Sequence, residues 1–283
     1  MTTEISAMVH STLGQPVTTV DELDGGMIGD VFRVTLADGS VIVAKTSVQP
    51  LSVEAEMLAF ISEQSELPVP EVYSADDDLL CLEYVPGDST ITPAVESDAA
   101  EHLAALHENH ASSCGFPFDT LCGPVEQPNP WTDSWIEFYR EYRIEPVVER
   151  ASAAGTLSPA IESRIRDVCT GFEEILRDPD EPALLHGDVW QTNILTDGER
   201  ITAFLDPACY FGHPEIELAY IDWTDTFGER FFERYQTERG IGLDDDFFEC
   251  RRFAYRLYPL IIHIHLFGNE YRDSLLDTLS NLE

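Results

Sequence analysis

The sequence predicts an α+β fold of two lobes sharing one cleft, a small β-rich lobe over residues 1–86 and a larger, mainly helical lobe over residues 87–283. Three observations carry this expectation. Up to residue 85, apart from helical spacing at 4–13 and 53–64, the apolar residues fall in short runs bounded by Gly, Pro, Asp and Ser, which is strand patterning. Beyond Pro86-Gly87-Asp88 their spacing becomes helical. Within that helical half, Leu184 to His213 interrupts the pattern with a hairpin carrying polar residues at both ends, and 283 residues suffice for two lobes around such a feature.

Taken in order, residues 4–13 show a weak helical pattern. Asp24-Gly25-Gly26-Met27-Ile28-Gly29-Asp30 reads as a glycine-bearing loop between two strands. Val31 to Leu36, the turn Ala37-Asp38-Gly39-Ser40 and Val41 to Lys45 then form a hairpin. Val53 to Gln64 places Val53, Met57, Phe60 and Ile61 on one helical face. Further strands follow, with Asp76-Asp77-Asp78 as a turn, and Leu79 to Val85 is a buried strand halted by Pro86-Gly87. In the second lobe Ser97 to His107 is helical, and residues 112–131 form an irregular loop rich in Gly, Pro and Cys. Asp133 to Ala151 and Ser158 to Arg177 are long amphipathic helices, each with an N-cap candidate. Ile194-Leu195 and Ile201 to Leu205 are strands joined by the turn Thr196-Asp197-Gly198-Glu199. Glu215 to Trp223, Gly228 to Arg239 and Leu243 to Phe267 complete the chain as helices.

Composition excludes several classes of function. The formal charge of −37 is spread along the whole chain and not gathered in a tail. Nucleic-acid binding is disfavoured, because phosphate contacts need clustered Lys and Arg. The acidity reads instead as adaptation to a salt-rich cytosol of a halophilic archaeon, where screening makes self-repulsion tolerable. No apolar run approaches the ~18 residues of a membrane span, and the N-terminus lacks the basic and apolar regions of a secretory signal. Six cysteines show no C-x-x-C pair and no zinc spacing, which fits reduced thiols in the cytoplasm. Lys45 is the one lysine among sixteen basic residues. A chain that has otherwise replaced Lys by Arg keeps a compact ammonium at the end of an apolar strand, where phosphate oxygens suit it better than they suit a planar guanidinium.

The hairpin defines the chemistry. Asp188 and Asn193 stand before it with four residues between them, and Asp206 closes it. Protein kinases use this arrangement: an Asp receives the hydroxyl proton, an Asn five positions on holds one Mg²⁺, and a later Asp holds the metals that bridge the nucleotide phosphates. His186-Gly187-Asp188 stands for H-R-D, and Asp206-Pro207-Ala208 for D-F-G. The loop with Gly25, Gly26 and Gly29, followed by Val41-Ile42-Val43-Ala44-Lys45, is similar to the phosphate loop and V-A-I-K strand of the same enzymes. Glu54 and Glu56 are both candidates for the helix carboxylate that pairs with the lysine; Glu54, four before Leu58, is preferred.

More narrowly, the chain resembles the fructosamine kinase (ketosamine-3-kinase) family within the aminoglycoside- and choline-kinase-like small-molecule kinases. The resemblance covers nearly the whole chain, through DGGMIGDVF, VIVAK, VEAEML, LEYVPG, LAALH, NPWTDSWIEFYREYRIEP, LLHGDVWQTNIL, DPACYFGHPEIELAY and YRLYPLIIHIHLFGNEY. It implies a two-lobed protein-kinase-like fold and ATP-dependent phosphorylation of the 3-hydroxyl of a ketosamine, with the substrate a small molecule or a glycated protein. Carried over by position, it makes Asp188 the proton acceptor and Asn193 and Asp206 the Mg²⁺ ligands, with Lys45 and Glu54 orienting the phosphates of ATP. Glu83, Tyr84 and Val85 become the adenine hinge, and Trp190 and His263 substrate contacts. An amino-alcohol or aminoglycoside kinase, or a non-catalytic nucleotide-binding module, stays open as an alternative. Three departures stand out, the first being Gly29 where the family's loop usually carries Asn or Ser. Met27 occupies a loop position where some relatives have Cys, and Glu217-Leu218-Ala219 replaces the family's D-L-A, which unsettles any carry-over of hydrogen bonding beneath the catalytic loop.

Overall fold

A computed structural model describes residues 2–23 and 29–283. Gly25, Gly26 and Met27 of the expected phosphate loop lie outside the described residues, and Gly29 of the same loop is the first described residue after them.

The N-terminal part is a five-stranded antiparallel sheet between two helices. Helix α1 (Thr2–Leu13) precedes β1 (Val17–Leu23), β2 (Asp30–Leu36) and β3 (Val41–Thr46); helix α2 (Leu51–Gln64) then leads to β4 (Val72–Ala75) and β5 (Leu80–Glu83), in the order β1-β2-β3-β5-β4. The two-residue period of β3 sorts its side chains. Ile42 and Ala44 join Phe32, Val34 and Cys81 beneath Ile5 and Val9 of α1. On the other face Leu51, Ala55 and Leu58 of α2 pack on Leu80 and Leu82, with Val43 at the edge of that cluster. Lys45, one step of two beyond Val43, therefore faces α2.

The larger part is one continuous core. It begins with α3 (Pro93–Leu106), capped by Thr92, whose hydroxyl accepts from Val95 N–H at 3.3 Å with Pro93 in the first turn. The expected irregular loop at 112–131 contains a small hairpin, β6 (Thr120–Cys122) with β7 (Val125–Gln127). The expected helix 133–151 is present as α4 (Trp135–Tyr139) and α5 (Glu145–Ala153), joined by a π-turn at Arg140–Ile144. Pro146 has no N–H to give the Tyr142 carbonyl, which accepts from Arg143 Nη1 at 3.0 Å instead. The second long helix, expected over 158–177, breaks at Thr170-Gly171 into α6 (Pro159–Cys169) and α7 (Phe172–Ile175).

Four short strands follow, β8 (Ala183–Leu185), β9 (Ile194–Thr196), β10 (Ile201–Phe204) and β11 (Tyr210–Gly212), paired as β9–β10 and β8–β11. Helices α8 (Glu215–Trp223), α9 (Glu229–Arg239), α10 (Arg252–Phe267) and α11 (Arg272–Ser280) close the fold; a π-turn at Phe247–Arg251 opens α10, and α11 lies beyond the last expected helix. Pro259 inside α10 frees the Tyr255 carbonyl, and the buried Tyr139 hydroxyl lies 3.1 Å from it and 2.8 Å from that of Ala254. All six cysteines are free. Among the described residues no helix is long and apolar enough to cross a membrane.

Candidate active site

Three segments deliver the polar groups to one cavity. The strand period turns Lys45 toward the first turn of α2, where Glu54 Oε1 lies 2.7 Å from Nζ. Lys45 also pairs with Asp206 from the end of the β9–β10 hairpin. Glu56, on the opposite side of α2, is exposed. Burial pulls the ammonium down, yet the two carboxylates more than offset it and leave Lys45 raised. Burial likewise raises Glu54. In Asp206 burial is outweighed by Lys45, and the carboxyl is held below its usual range.

The catalytic-loop geometry has three supports. Gly187 has φ +87°, and a Cβ there would sit 2.2 Å from the Ala208 carbonyl, so only glycine lets these two segments meet. Its N–H donates to Glu217 Oε1 at 2.6 Å, while Glu217 Oε2 lies 2.8 Å from His107 Nε2, whose Nδ1 is 2.7 Å from the Tyr235 hydroxyl. All three side chains are buried. The longer carboxylate of Glu217 thus reaches the backbone of the loop directly. Asn193 Nδ2 donates to Asp188 Oδ2 at 2.9 Å and to the Asp188 carbonyl at 3.1 Å, which leaves Asn193 Oδ1 available. Asp206 takes a left-handed conformation, φ +53°, strained for a residue with a side chain. Burial raises Asp188 to about 7, against the lowering hydrogen bonds of Tyr220 and Asn193; the neighbouring charge of Asp206 pushes the same way as burial.

The cavity runs from Gly29 and Lys45 to the helix α10 and is lined by Glu54, Gly187, Asp188, Asn193 and Asp206 on the way. Gly29 is required by packing, since a Cβ would lie 2.4 Å from the Thr46 carbonyl. Trp190 and His263 both line the far part. His263 Nδ1 is 2.7 Å from the Pro259 carbonyl, an acceptor only, so Nδ1 carries the proton and Nε2 is the free acceptor when the ring is neutral. Burial lowers its pKa and favours that neutral form. Glu83, Tyr84 and Val85 do not line this cavity: Glu83 accepts from Glu71 N–H at 3.3 Å, and the Tyr84 ring faces the Arg33 guanidinium at 5.1 Å. Residues that the sequence reading left unassigned also contribute. Leu121, Cys122 and Gly123 reach in from the β6–β7 tip, and Tyr220 and Tyr258 from α8 and α10. A turn glycine inside TLCGPVEQ was the one local signal of that hairpin; the two tyrosines carry helical spacing indistinguishable from core.

The donor set fits a magnesium nucleotide. Asn193 and Asp206 offer hard oxygens, and among the described residues no cluster of three His, Cys, Asp or Glu forms an all-protein metal cage. Mg²⁺ is commonly held in this way, through one or two protein oxygens with water and phosphate completing the octahedron.

The family model for fructosamine kinase matches residues 1–282. The chain is 29% identical over 280 residues to the chloroplastic protein-ribulosamine 3-kinase of Arabidopsis thaliana, covering 94% of this chain and 82% of that one. A crystal structure of a candidate fructosamine-3-kinase from Thermobifida fusca superposes with a TM-score of 0.87 at 30% identity, covering 98% of each chain. An aminoglycoside phosphotransferase, solved with AMP-PNP and hygromycin B, superposes with a TM-score of 0.69 at 20% identity over 99% of this chain and 96% of its own, a likeness of fold.

Proposed function

This chain belongs to the fructosamine kinase family, and we propose that it transfers the γ-phosphoryl group of ATP to the 3-hydroxyl of a ribulosamine or fructosamine carried by a small amine or a protein. One observation carries the reading: Lys45 and Glu54 from the first lobe and Asp188, Asn193 and Asp206 from the second, two stretches far apart in sequence, line one cavity whose opposite wall is uncharged. Asp188 accepts the hydroxyl proton as the acceptor oxygen bonds to phosphorus and the bond from phosphorus to the departing ADP oxygen breaks. A carboxyl held near 7 is matched to that proton transfer at neutral pH. Lys45, steadied by Glu54, orients the phosphates and exchanges its contact with Asp206 for phosphate oxygen. Asn193 and Asp206 would hold Mg²⁺, which when bound neutralises charge on the phosphate oxygens. Trp190 lays an apolar face along the sugar, and His263 Nε2 accepts from one of its hydroxyls.

The acceptor side favours a ketosamine over a polycationic aminoglycoside. Its wall on α10 is Tyr258, Pro259, Ile262, His263, Leu266 and Phe267, with no carboxylate, in a chain that carries 53 acidic residues. Six free cysteines support a cytoplasmic location. The boundary between the lobes is drawn at Pro86-Gly87-Asp88, and just beyond it Asp88 and Thr196 of the larger lobe exchange two backbone hydrogen bonds, 3.0 and 2.7 Å.

The test is ATP consumption with Mg²⁺ in molar KCl on a ribulosamine, a fructosamine, choline and an aminoglycoside. Turnover on the ketosamines is expected. Turnover on choline or the aminoglycoside alone would discard the substrate and keep the active site.

A further inference from the structure

The primary amide of Gln127 sits at a junction that the phosphoryl-transfer chemistry does not explain. Its side chain is buried, 1% exposed, at the end of β7. Three segments converge on it. The Tyr258 hydroxyl on α10 donates to Oε1 at 2.8 Å; Nε2 donates to the Ala208 carbonyl at 3.2 Å and to Thr120 Oγ1 at 3.1 Å. The orientation of the amide is fixed by chemistry, because a carbonyl can only accept and so must face the NH₂ group. Ala208 is two residues past Asp206, and its N–H donates to the His186 carbonyl at 2.8 Å. One amide therefore joins the acceptor wall to the segment that carries Asp206 and, through it, to the loop that carries Asp188.

A second layer holds this amide in place. Asn129 Nδ2 donates to the same Thr120 Oγ1 at 2.9 Å and to the Phe118 carbonyl at 3.0 Å, and Asn129 Oδ1 accepts from Arg143 Nη2 at 2.5 Å. Arg143 is fully buried and its guanidinium lies 4.0 Å from the Tyr210 ring and 4.6 Å from that of Phe138. Its hydrogen-bond acceptors are neutral: Asn129 and the carbonyls of Pro128 and Tyr142. A buried cation with no carboxylate is held only by a closely fitted surround, and such networks resist displacement of any one member.

We propose that Gln127 is a positioning residue for the acceptor. By spanning from Tyr258 to the Ala208 carbonyl it sets the separation between the acceptor wall and the Asp188–Asp206 pair, and so the alignment of the acceptor hydroxyl with the phosphoryl group. The inference rests on the kinase reading above but not on which acceptor is used. A displacement of about 1 Å at a reacting oxygen lowers turnover by up to ~10²-fold, so even one lost tie is expected to register in kcat.

The test measures Gln127→Leu, Tyr258→Phe and the double variant, with rates taken per folded molecule, on whichever acceptor the wild type phosphorylates fastest. Gln127→Leu should lower kcat by about 10- to 100-fold while the KM for ATP is unchanged. Tyr258→Phe should lower it less, and the double variant should be no slower than Gln127→Leu alone, because both cut the same tie. An unchanged kcat in Gln127→Leu, losses that multiply in the double variant, or a KM for ATP that rises in step with the loss would overturn the proposal. If Gln127→Leu does not fold, Tyr258→Phe decides alone, and a wild-type kcat there refutes it. A wild type that rejects ketosamines yet phosphorylates another acceptor would overturn the substrate assignment, and the same ratios read on that acceptor would still decide the role of Gln127.

Discussion

At one end of the cavity Lys45, Glu54 and Asp206 form a cluster of charges, each tied to another across segments that lie up to 161 residues apart in sequence. At the other end α10 and the β6–β7 tip present aromatic and aliphatic side chains, held by neutral amides and hydroxyls and by a cation that meets no carboxylate among the described residues. In the mechanism proposed above the first end handles phosphate, which every nucleotide-dependent phosphotransferase must do with the same few charged groups. The second handles an acceptor and is built from the same residue types as a core. The difference teaches that chemistry is written in rare residue types, whereas specificity here is written in common ones placed by the fold.

The largest effect should come from removing the group at the meeting point of the two ends. Asp188→Asn is expected to lower turnover by about 10²- to 10⁴-fold, the usual worth of a general base, with ATP binding retained. Undiminished turnover would remove Asp188 from the mechanism. The same substitution should raise thermal stability above pH 7. In the folded protein this carboxyl titrates near 7, against 3.8 for an ordinary Asp, so the folded state binds more protons between those values. Its contribution to stability is therefore lost as pH rises through that window, and Asn lacks the penalty. Melting curves of both proteins at pH 5 and pH 8 read the difference.

Next, Lys45→Met deletes the single ammonium of the charged end. Loss of one fixed electrostatic donor to a transition state is worth about 10²- to 10³-fold in kcat; a wild-type rate would show that the charged end is structural. At the apolar end the expected change is smaller and of a different kind. Leu121→Ala, on the hairpin tip, should raise the KM for the acceptor by about tenfold, the scale on which apolar pockets discriminate, and leave the KM for ATP alone. Equal shifts in both constants would erase the distinction between the ends.

Two further expectations concern the frame around them. Burial holds His213 down to about 4 and lowers His186 and His263, which favours the neutral ring in all three. The unfolded chain takes up their protons near 6.5 while the folded one does not, so their contribution to stability is lost as pH drops from about 6.5 toward 4, opposite in sign to that of Asp188. Denaturant midpoints of Asp188→Asn at pH 7 and pH 5, with the opposing carboxyl removed, check the sign. Last, the formal charge of −37 should make the melting temperature rise from dilute buffer to molar KCl; a salt-independent melting temperature would count against a halophilic origin.

Much of the charged end was legible because its signals are local. Asp188, Asn193 and Asp206 sit within one hairpin and its approach, and a solitary lysine at the end of an apolar strand identifies itself by composition. Glu54 was preferred over Glu56 on spacing, and the pair at 2.7 Å agrees with that preference. Helical periodicity located most of the helices, though not the break at Thr170-Gly171, where the amphipathic pattern continues across a glycine. The β6–β7 hairpin escaped because strands of three residues are too short for a period-two pattern to register. Glu217 was read as a departure from the family's Asp; only in the fold does its extra methylene place a carboxylate 2.6 Å from Gly187 N–H.

By itself the sequence determined the class of fold, the succession of strands and helices, and the residue types and spacings that phosphoryl transfer demands, because these depend on neighbours a few positions apart. The tertiary structure alone decided that Lys45 also meets Asp206, that Asp206 turns left-handed, and that Gln127 and Tyr258, 131 residues apart, share a hydrogen bond beneath the acceptor wall. Such contacts join ordinary residues across long stretches of chain, and packing selects them only when the whole core closes.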